Sequence, residues 1–478
     1  MSANYDGKNI IEAFPAKRFF VDMLTRDIEL LDAVLDLIDN SLDGAMRELR
    51  RLGKRQEKGK YQGYKVEIEF NKERFRIKDN CGGIPREVAI HSAFRMGRPS
   101  ADIDQDLPTV GVYGIGMKRS IFKMGKSCKV ITKTSTTNLT VNMSPEWMAD
   151  DDDWSLPYQE QQVTDASDTG TEIIVESLRE GIKRIFSLEN AFYNDLKNAA
   201  EVYYSSFIEN GFEIKINGTV VSSSANVLAI EEDFFNKKEA ISPYVYIDEV
   251  DGVKISVMIG FYRGFITPDE EDNALRGTES KASSSKAGIT IICNDRVVLN
   301  ADKTRKTGWG ESGVPRYHTQ FISIAGVVKF QCNDPSKLPL TTTKRGIEGN
   351  SDLYLKVKDR IKEGLKIFTS FTNKWKNRQE RARLSIQSGG SRNVIPSDII
   401  EKIPQNKWTN MRGEENKNAR KFIPNLPMPT IESTERRITF SRPAEDIKTI
   451  SEFYFENESA SPKEVGEKCF DEALRRAK

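Results

Sequence analysis

Histidine is nearly absent from the chain: two residues, His91 and His318, in 478. That scarcity argues against His-based metal centres and against a Ser-His-Asp triad. Five cysteines (Cys81, Cys128, Cys293, Cys332 and Cys469) are scattered and odd in number. They have no zinc spacing and fit a reducing, cytoplasmic setting. Long apolar runs are missing as well. None approaches the ~20 residues that span a bilayer. The opening MSANYDGKNIIEAF has no basic-then-apolar signal pattern, so no membrane partner is expected. Neither sign of charge dominates: 72 Lys+Arg stand against 71 Asp+Glu. That balance excludes a wholly basic nucleic-acid binder but leaves room for a local basic patch.

What is present is a polar chain with 38% hydrophobic and 30% charged residues. Its length exceeds the size at which single cores split, so two or three domains are expected.

The chain is organised around a helix predicted over Asp27 to Leu52. Ile28, Leu31, Val34, Leu35, Ile38, Leu42, Met46 and Leu49 recur at the helical period, and Gly53 stops it. A second stripe carries Asp36 and Asn40, one turn apart, with Asp43 nearly in line. Two carboxylates and an amide suit a hard cation and an oriented water; a solvated helix face carries the same pattern.

An arm, residues 1–26, precedes this helix. A basic stretch, 47–65, follows it and offers either a solvated face or a phosphate-backbone contact. YKVEIEF and ERFRIKD predict a hairpin that runs into Asp79-Asn80-Cys81-Gly82-Gly83-Ile84. Residues 92–110 have few periodic apolar positions and predict a mobile loop. They lead into Gly111-Val112-Tyr113-Gly114-Ile115-Gly116-Met117-Lys118. Glycines there free backbone N–H groups to meet an anion, at the positive end of a following helix. Lys118 adds a point charge suited to phosphate. KVITKTS and NLTVNMS predict a strand pair, EWMADDDDWSLPYQ a surface excursion, and Gly170-Thr171-Glu172-Ile173 the start of another strand. An amphipathic helix is expected over 186–208, then a hairpin at Asn217-Gly218.

A second domain begins near residue 226. VYIDEVDGVKISVMIGFY predicts a hairpin, 266–288 a polar insertion, GITIICNDRVVL a buried strand with an Asn-Asp turn, and FISIAGVVKF a further strand. Leu338 to Gly346 is a loop containing Lys344. A long helix over about 352–383 ends basic, at 374–383. Residues 385–445, rich in Ser, Asn, Gly and Pro, predict an extended linker. From Ser461 a capping box with Pro462 at the first helical position predicts a last helix.

Four boxes stand in one order: DLIDNSLDG, DNCGGI, GVYGIGMK and GTEI. That order and spacing resemble the GHKL ATPases: gyrase, the ninety-kilodalton heat-shock chaperones, MutL-type mismatch-repair proteins and the microrchidia (MORC) proteins. ICNDRVVL and TTTKRG resemble the transducer domain of the MutL and MORC branches. The resemblance implies an α+β fold: a GHKL (Bergerat) α/β sandwich with a mixed, mostly antiparallel sheet over 1–225, with a lid at about 97–110. A β-α transducer-like domain over 226–384 follows, then a linker and carboxy-terminal helix, 385–478. It implies ATP and Mg²⁺, with Asn40 holding the metal and Asp43 beside it. Asp79, Gly83, Ile84 and Thr171 would form the adenine pocket. Gly111, Val112, Tyr113, Gly114, Ile115, Gly116, Met117 and Lys118 would bind the phosphates, and Lys344 would reach the γ-phosphate from the transducer. Asp36 takes the place of the water-activating Glu.

Two departures from the pattern stand out. Asp36 is shorter than Glu by one methylene, about 1.5 Å, which puts hydrolysis in question because a base must lie within ~3 Å of its water. Cys81 fills the first glycine position of the family's D-x-G-x-G. The expected function is an ATP-hydrolysing dimeric clamp or switch. It would engage DNA, through 47–65 and 374–383, or an effector protein, in a DNA-maintenance or phage-defence setting. The alternatives are a chaperone-like scaffold and an ATP sensor that does not hydrolyse.

Overall fold

A computed structural model gives the fold. It describes residues 16–26, 28–53, 59–95, 116–151, 153–188, 190–224, 226–265, 285–341, 344–375, 392–411, 418–428 and 438–477. The lid, the first fifteen residues of the arm, the insertion 266–284 and the basic ends 54–58 and 376–383 therefore lie outside the described residues.

Helix α1 (Lys17–Arg26) precedes α2 (Leu30–Arg51), the predicted opening helix. No side chain caps the start of α2. Its stability comes from packing: Val34, Ile38 and Leu42 are fully buried, at roughly 1.5–3 kcal/mol each, more than the ~1 kcal/mol of a cap. The expected hairpin is β1 (Lys65–Phe70) with β2 (Phe75–Asp79), followed by the short α3 (Arg86–Val88). Helix α4 (Gly116–Met124) leads into β3 (Gly125–Lys133) and β4 (Asn138–Met143). Next come α5 (Pro145–Ala149), β5 (Tyr158–Gln161) and β6 (Gly170–Leu178). The helix expected over 186–208 is three pieces: α6 (Glu180–Ser187), α7 (Ala191–Tyr203) and α8 (Ser205–Glu209). The first break falls beside Asn190, which takes a left-handed φ of 61°. β7 (Glu213–Ile216) and β8 (Thr219–Val220) close this part.

These strands form one eight-stranded sheet, ordered β5-β4-β3-β6-β2-β1-β7-β8. β1 and β7 are parallel and every other neighbour is antiparallel. α2 lies in the core against it, with Ile38, Leu42, Ile68, Ile77, Val130 and Val175 in one buried cluster.

A second sheet follows. β9 (Leu228–Ile230), β10 (Tyr244–Val250), β11 (Val253–Phe261), β12 (Gly288–Cys293), β13 (Arg296–Asp302) and β14 (Ile324–Gln331) precede the long α9 (Asp352–Trp375). α9 buries Ile361, Leu365 and Phe368 with Ile259 and Phe261 of β11. Residues 392–411 and 418–428 do not run as a linker. β15 (Arg392–Val394) pairs with β9, and α10 (Pro396–Lys402) packs Ile399 into a small core. β16 (Thr409–Asn410) and β17 (Arg420–Phe422) extend the second sheet to β13-β12-β14-β11-β10-β17-β16. The fold is α+β, with mixed, mostly antiparallel sheets, as expected.

Met1–Met428 form one compact unit and Pro429–Lys478 a second. The second holds α11 (Ala444–Phe455), which sequence periodicity missed, and the expected α12 (Pro462–Ala477). The capping box is formed: Ser461 N–H donates to Glu464 Oε2 at 2.9 Å, and Glu464 N–H to Ser461 Oγ at 3.3 Å. No helix among the described residues is long and apolar enough to cross a membrane.

Candidate active site

The polar stripe of α2 divides. Asn40 is exposed, whereas Asp36, Asp39 and Asp43 are buried. Asn40 and Asp43 are thus not presented alike, although the helical period puts them close to one line.

At the end of β2, Asp79 Oδ1 accepts from the backbone N–H of Cys81 at 2.9 Å and of Thr171 at 3.1 Å. Ser41 Oγ donates to Asp79 Oδ2 at 2.8 Å. Three of the four sequence boxes therefore meet on one carboxyl group. Burial pushes the pKa of Asp79 up, against the pull of these three hydrogen bonds.

Glycine is required where the chain closes around this group. Gly83 has φ +70°, and a Cβ there would lie 2.0 Å from the Lys133 carbonyl oxygen; at Gly170, φ +145°, it would lie 2.0 Å from that of Asp79. Cys81 needs no such freedom, because it is not among the residues with positive φ; the positive φ falls on Gly82 and Gly83. A Cβ on Gly44 would come within 2.8 Å of the Cys81 carbonyl oxygen, so α2 and this turn approach closely only because Gly44 has none. Buried Thr132 ties the turn to β6: its Oγ1 accepts from Ile84 N–H at 2.6 Å and lies 3.4 Å from Thr171 Oγ1.

Gly111, Val112, Tyr113, Gly114 and Ile115 lie outside the described residues. Gly116, Met117 and Lys118 form the first turn of α4. Lys118 is buried and donates to the Ala93 carbonyl at 2.9 Å; burial pushes its pKa down to about 8. A Cβ on Gly116 would lie 3.3 Å from Asp36 Oδ2, so the start of α4 rests on that carboxylate. Arg119 Nη2 donates to the same oxygen at 2.5 Å.

Lys344 comes from the loop before α9, with φ +56°. Its Nζ lies 3.0 Å from Asp39 Oδ2 and 3.6 Å from Asp36 Oδ1. Asp39 Oδ1 accepts from Arg296 Nε at 2.7 Å and Tyr204 Oη at 2.9 Å. Arg296 Nη1 also donates to the Lys344 carbonyl at 2.5 Å. Burial works against the charge on Asp39, but Arg296 and Lys344 outweigh it and hold its pKa below the usual carboxylate range. Lys344 is shifted upward: Asp39 and Asp36 overcome burial. Arg345 pairs with Asp32 one turn earlier. The acidic side of α2 thus meets a cationic turn of the second sheet and the cationic loop before α9.

Asp39, Arg119, Arg296, Tyr204, Ser41, Thr132 and Gly170 were not among the candidate residues. Asp39 had a legible signal: it stands four after Leu35 and three before Leu42, on the apolar stripe, where a carboxylate must be paired. Arg296, beside the Asn-Asp turn and ahead of Val297 and Val298, carried the complementary one. Thr132 and Ser41 had none, since a hydroxyl fits either face.

Residues 28–172 match the family model of histidine kinase-, DNA gyrase B-, and HSP90-like ATPases. The match spans α2 through Glu172 in β6 and covers under a third of the chain. It contains Asp36, Asn40, Asp79 and Lys118, and excludes Arg296 and Lys344. No curated protein matches the chain.

Proposed function

We propose that the first sheet and α2 bind ATP with Mg²⁺, and that the chain is an ATP-hydrolysing switch that closes as a dimeric clamp. The observation that carries this reading is the convergence on Asp79. Its carboxyl is fixed by Ser41, Cys81 and Thr171 beside a turn that only glycine can make. A carboxylate so fixed, with Ile84 and Thr171 as walls, suits the exocyclic amino group and ring edge of adenine. The phosphates would then lie toward α4, whose first turn carries Lys118.

No group of three His, Cys, Asp or Glu that could hold a metal exists among the described residues. Mg²⁺ is bound through one or two protein oxygens, with phosphates and waters completing its shell. Asn40, exposed on α2, would hold it, and the ion would neutralise phosphate charge. Asp36 would take the proton from an attacking water, and Lys344 would sense the terminal phosphate from the second domain. In this reading 1–225 is the ATP-binding domain and 226–384 the transducer. DNA or an effector protein is the captured partner, with the basic stretch 47–65 as the DNA-facing candidate.

A second reading, a nucleotide sensor that does not hydrolyse, is favoured by one observation. Both oxygens of Asp36 face cations, Arg119 and Lys344, so the chain itself already engages the carboxylate that a water would need.

The test is ATP turnover and molecular mass, with and without a non-hydrolysable ATP analogue, repeated with duplex DNA. Turnover and analogue-dependent dimerisation are expected. A monomer under every condition overturns the clamp, and binding without turnover selects the sensor.

A further inference from the structure

We propose that Arg119 is a ligand of the terminal phosphate, held in reserve by Asp36 until a nucleoside triphosphate arrives. The proposal rests on the ATP reading above and adds a residue that discriminates triphosphate from diphosphate.

Cationic groups crowd around Asp36. Its Oδ2 rests against the first turn of α4, 3.3 Å from the Cβ that Gly116 lacks. Arg119 Nη2 donates to that oxygen at 2.5 Å, and Lys344 Nζ lies 3.6 Å from Oδ1. A helix N-terminus, a guanidinium and an ammonium around one small anion is the environment that favours a phosphate. Asp36 fills it from within the chain.

The fit is incomplete. Arg119 Nε is buried and has no hydrogen-bond partner among the described residues. A guanidinium presents a fork of donors in fixed geometry, and the short Asp36 side chain engages only one end of it. A buried donor without an acceptor is destabilising, so the pairing with Asp36 is one that a better acceptor can displace. A phosphoryl group, with several oxygens, can meet Nε and Nη2 together.

Placement supports the exchange. Arg119 follows Lys118 in the turn that ends the glycine run, and its side chain is 13% exposed, against 5% for Asp36. Turning to a phosphate would take it off Asp36 Oδ2. That oxygen would then be free to hold a water. The same movement would therefore complete the phosphate site and release the base.

Equilibrium binding of ADP and of a non-hydrolysable ATP analogue, each with Mg²⁺, tests this on the full chain and three variants. Arg119→Ala is expected to weaken the analogue roughly 10- to 100-fold, the scale of a charge-assisted hydrogen bond, and ADP less than about twofold. Arg119→Lys should restore part of the difference. Asp36→Asn, which leaves Arg119 in place but removes the competing anion, should strengthen the analogue and leave ADP unchanged. Equal losses for both nucleotides in Arg119→Ala would overturn the proposal while leaving the ATP reading intact. Were Arg119→Ala not to fold, as judged by thermal melting, Asp36→Asn decides: no gain in analogue binding overturns the proposal. Wild-type protein that binds neither nucleotide overturns the ATP reading and this proposal together.

Discussion

Arg296 Nε donates to Asp39 Oδ1 at 2.7 Å, and neither side chain reaches solvent. The pair joins α2, which packs against the first sheet, to the β12–β13 turn of the second sheet. Tyr204 and Lys344 complete the acceptor's partners. Removing Arg296 deletes one of the two cations that hold buried Asp39, which costs roughly 2–3 kcal/mol, less than a charge left wholly unpaired. Arg296→Met is therefore expected to lower unfolding free energy by about that amount in denaturant titrations. A loss below about 1 kcal/mol would show that the node does not tie the two sheets together.

The same node sets an acid limit. Asp39 has a folded pKa below its unfolded value, so its stabilisation is present above the unfolded pKa, ~3.9. It is lost as pH falls through the lower folded value. Stability should thus drop steeply below about pH 4. Asp39→Asn should be less stable at pH 7 and show a shallower acid dependence. Parallel pH profiles for the two proteins would assign the acid step to other carboxylates.

Gly83→Ala should both destabilise the protein and abolish nucleotide binding. The added Cβ meets the Lys133 carbonyl oxygen at 2.0 Å, and φ +70° is costly for alanine. A strained backbone of this kind costs ~1–3 kcal/mol before the clash is counted. Gly53→Ala is a control for φ alone: Gly53 also has positive φ, but nothing lies within 4 Å of its Cβ position. Equal stability losses in the two variants would remove the steric argument.

Hydrolysis, if Asp36 supports it, should fall at least about 100-fold in Asp36→Ala, the lower range for losing a general base. Asp36→Glu, which restores the missing methylene, should raise turnover. Turnover equal to wild type in Asp36→Ala would assign the proton transfer elsewhere.

Lys118 predicts a pH effect on binding. Its pKa of about 8 means that it loses charge as pH rises through that value. A bound phosphate favours the protonated form, so nucleotide binding should take up a proton near pH 8.5 and weaken above it. Calorimetry in buffers of different ionisation enthalpy measures the uptake. No uptake at pH 8.5, or the same uptake in Lys118→Met, would place Lys118 away from the phosphates.

The parts of this fold that could be read in the sequence are those set by local periodicity. α2, the β1–β2 hairpin and the turns at Asn217-Gly218 and Asp251-Gly252 all follow from spacing and turn chemistry. β17 could not be read that way. Arg420–Phe422 is three residues long, and its strand character comes from pairing with β10, about 175 residues earlier. The helix expected over 186–208 failed for a related reason: its apolar period runs unbroken, yet the backbone breaks at Tyr204, whose hydroxyl donates to the Leu35 carbonyl and to Asp39. In the site, the boxes carried Asp79 and Thr171 directly. Arg119 remained hidden because a cation on a charged chain has no distinguishing neighbour in sequence; only the buried carboxylate it meets reveals it.

The most direct test of the central claim is calorimetric titration of the full chain with ATP and Mg²⁺, alongside Asp79→Asn. Saturable binding by wild type is expected, weakened at least about tenfold in Asp79→Asn, where an amide replaces the carboxylate proposed to accept from the adenine amino group. No binding by wild type, or equal affinity in the two proteins, would contradict the claim.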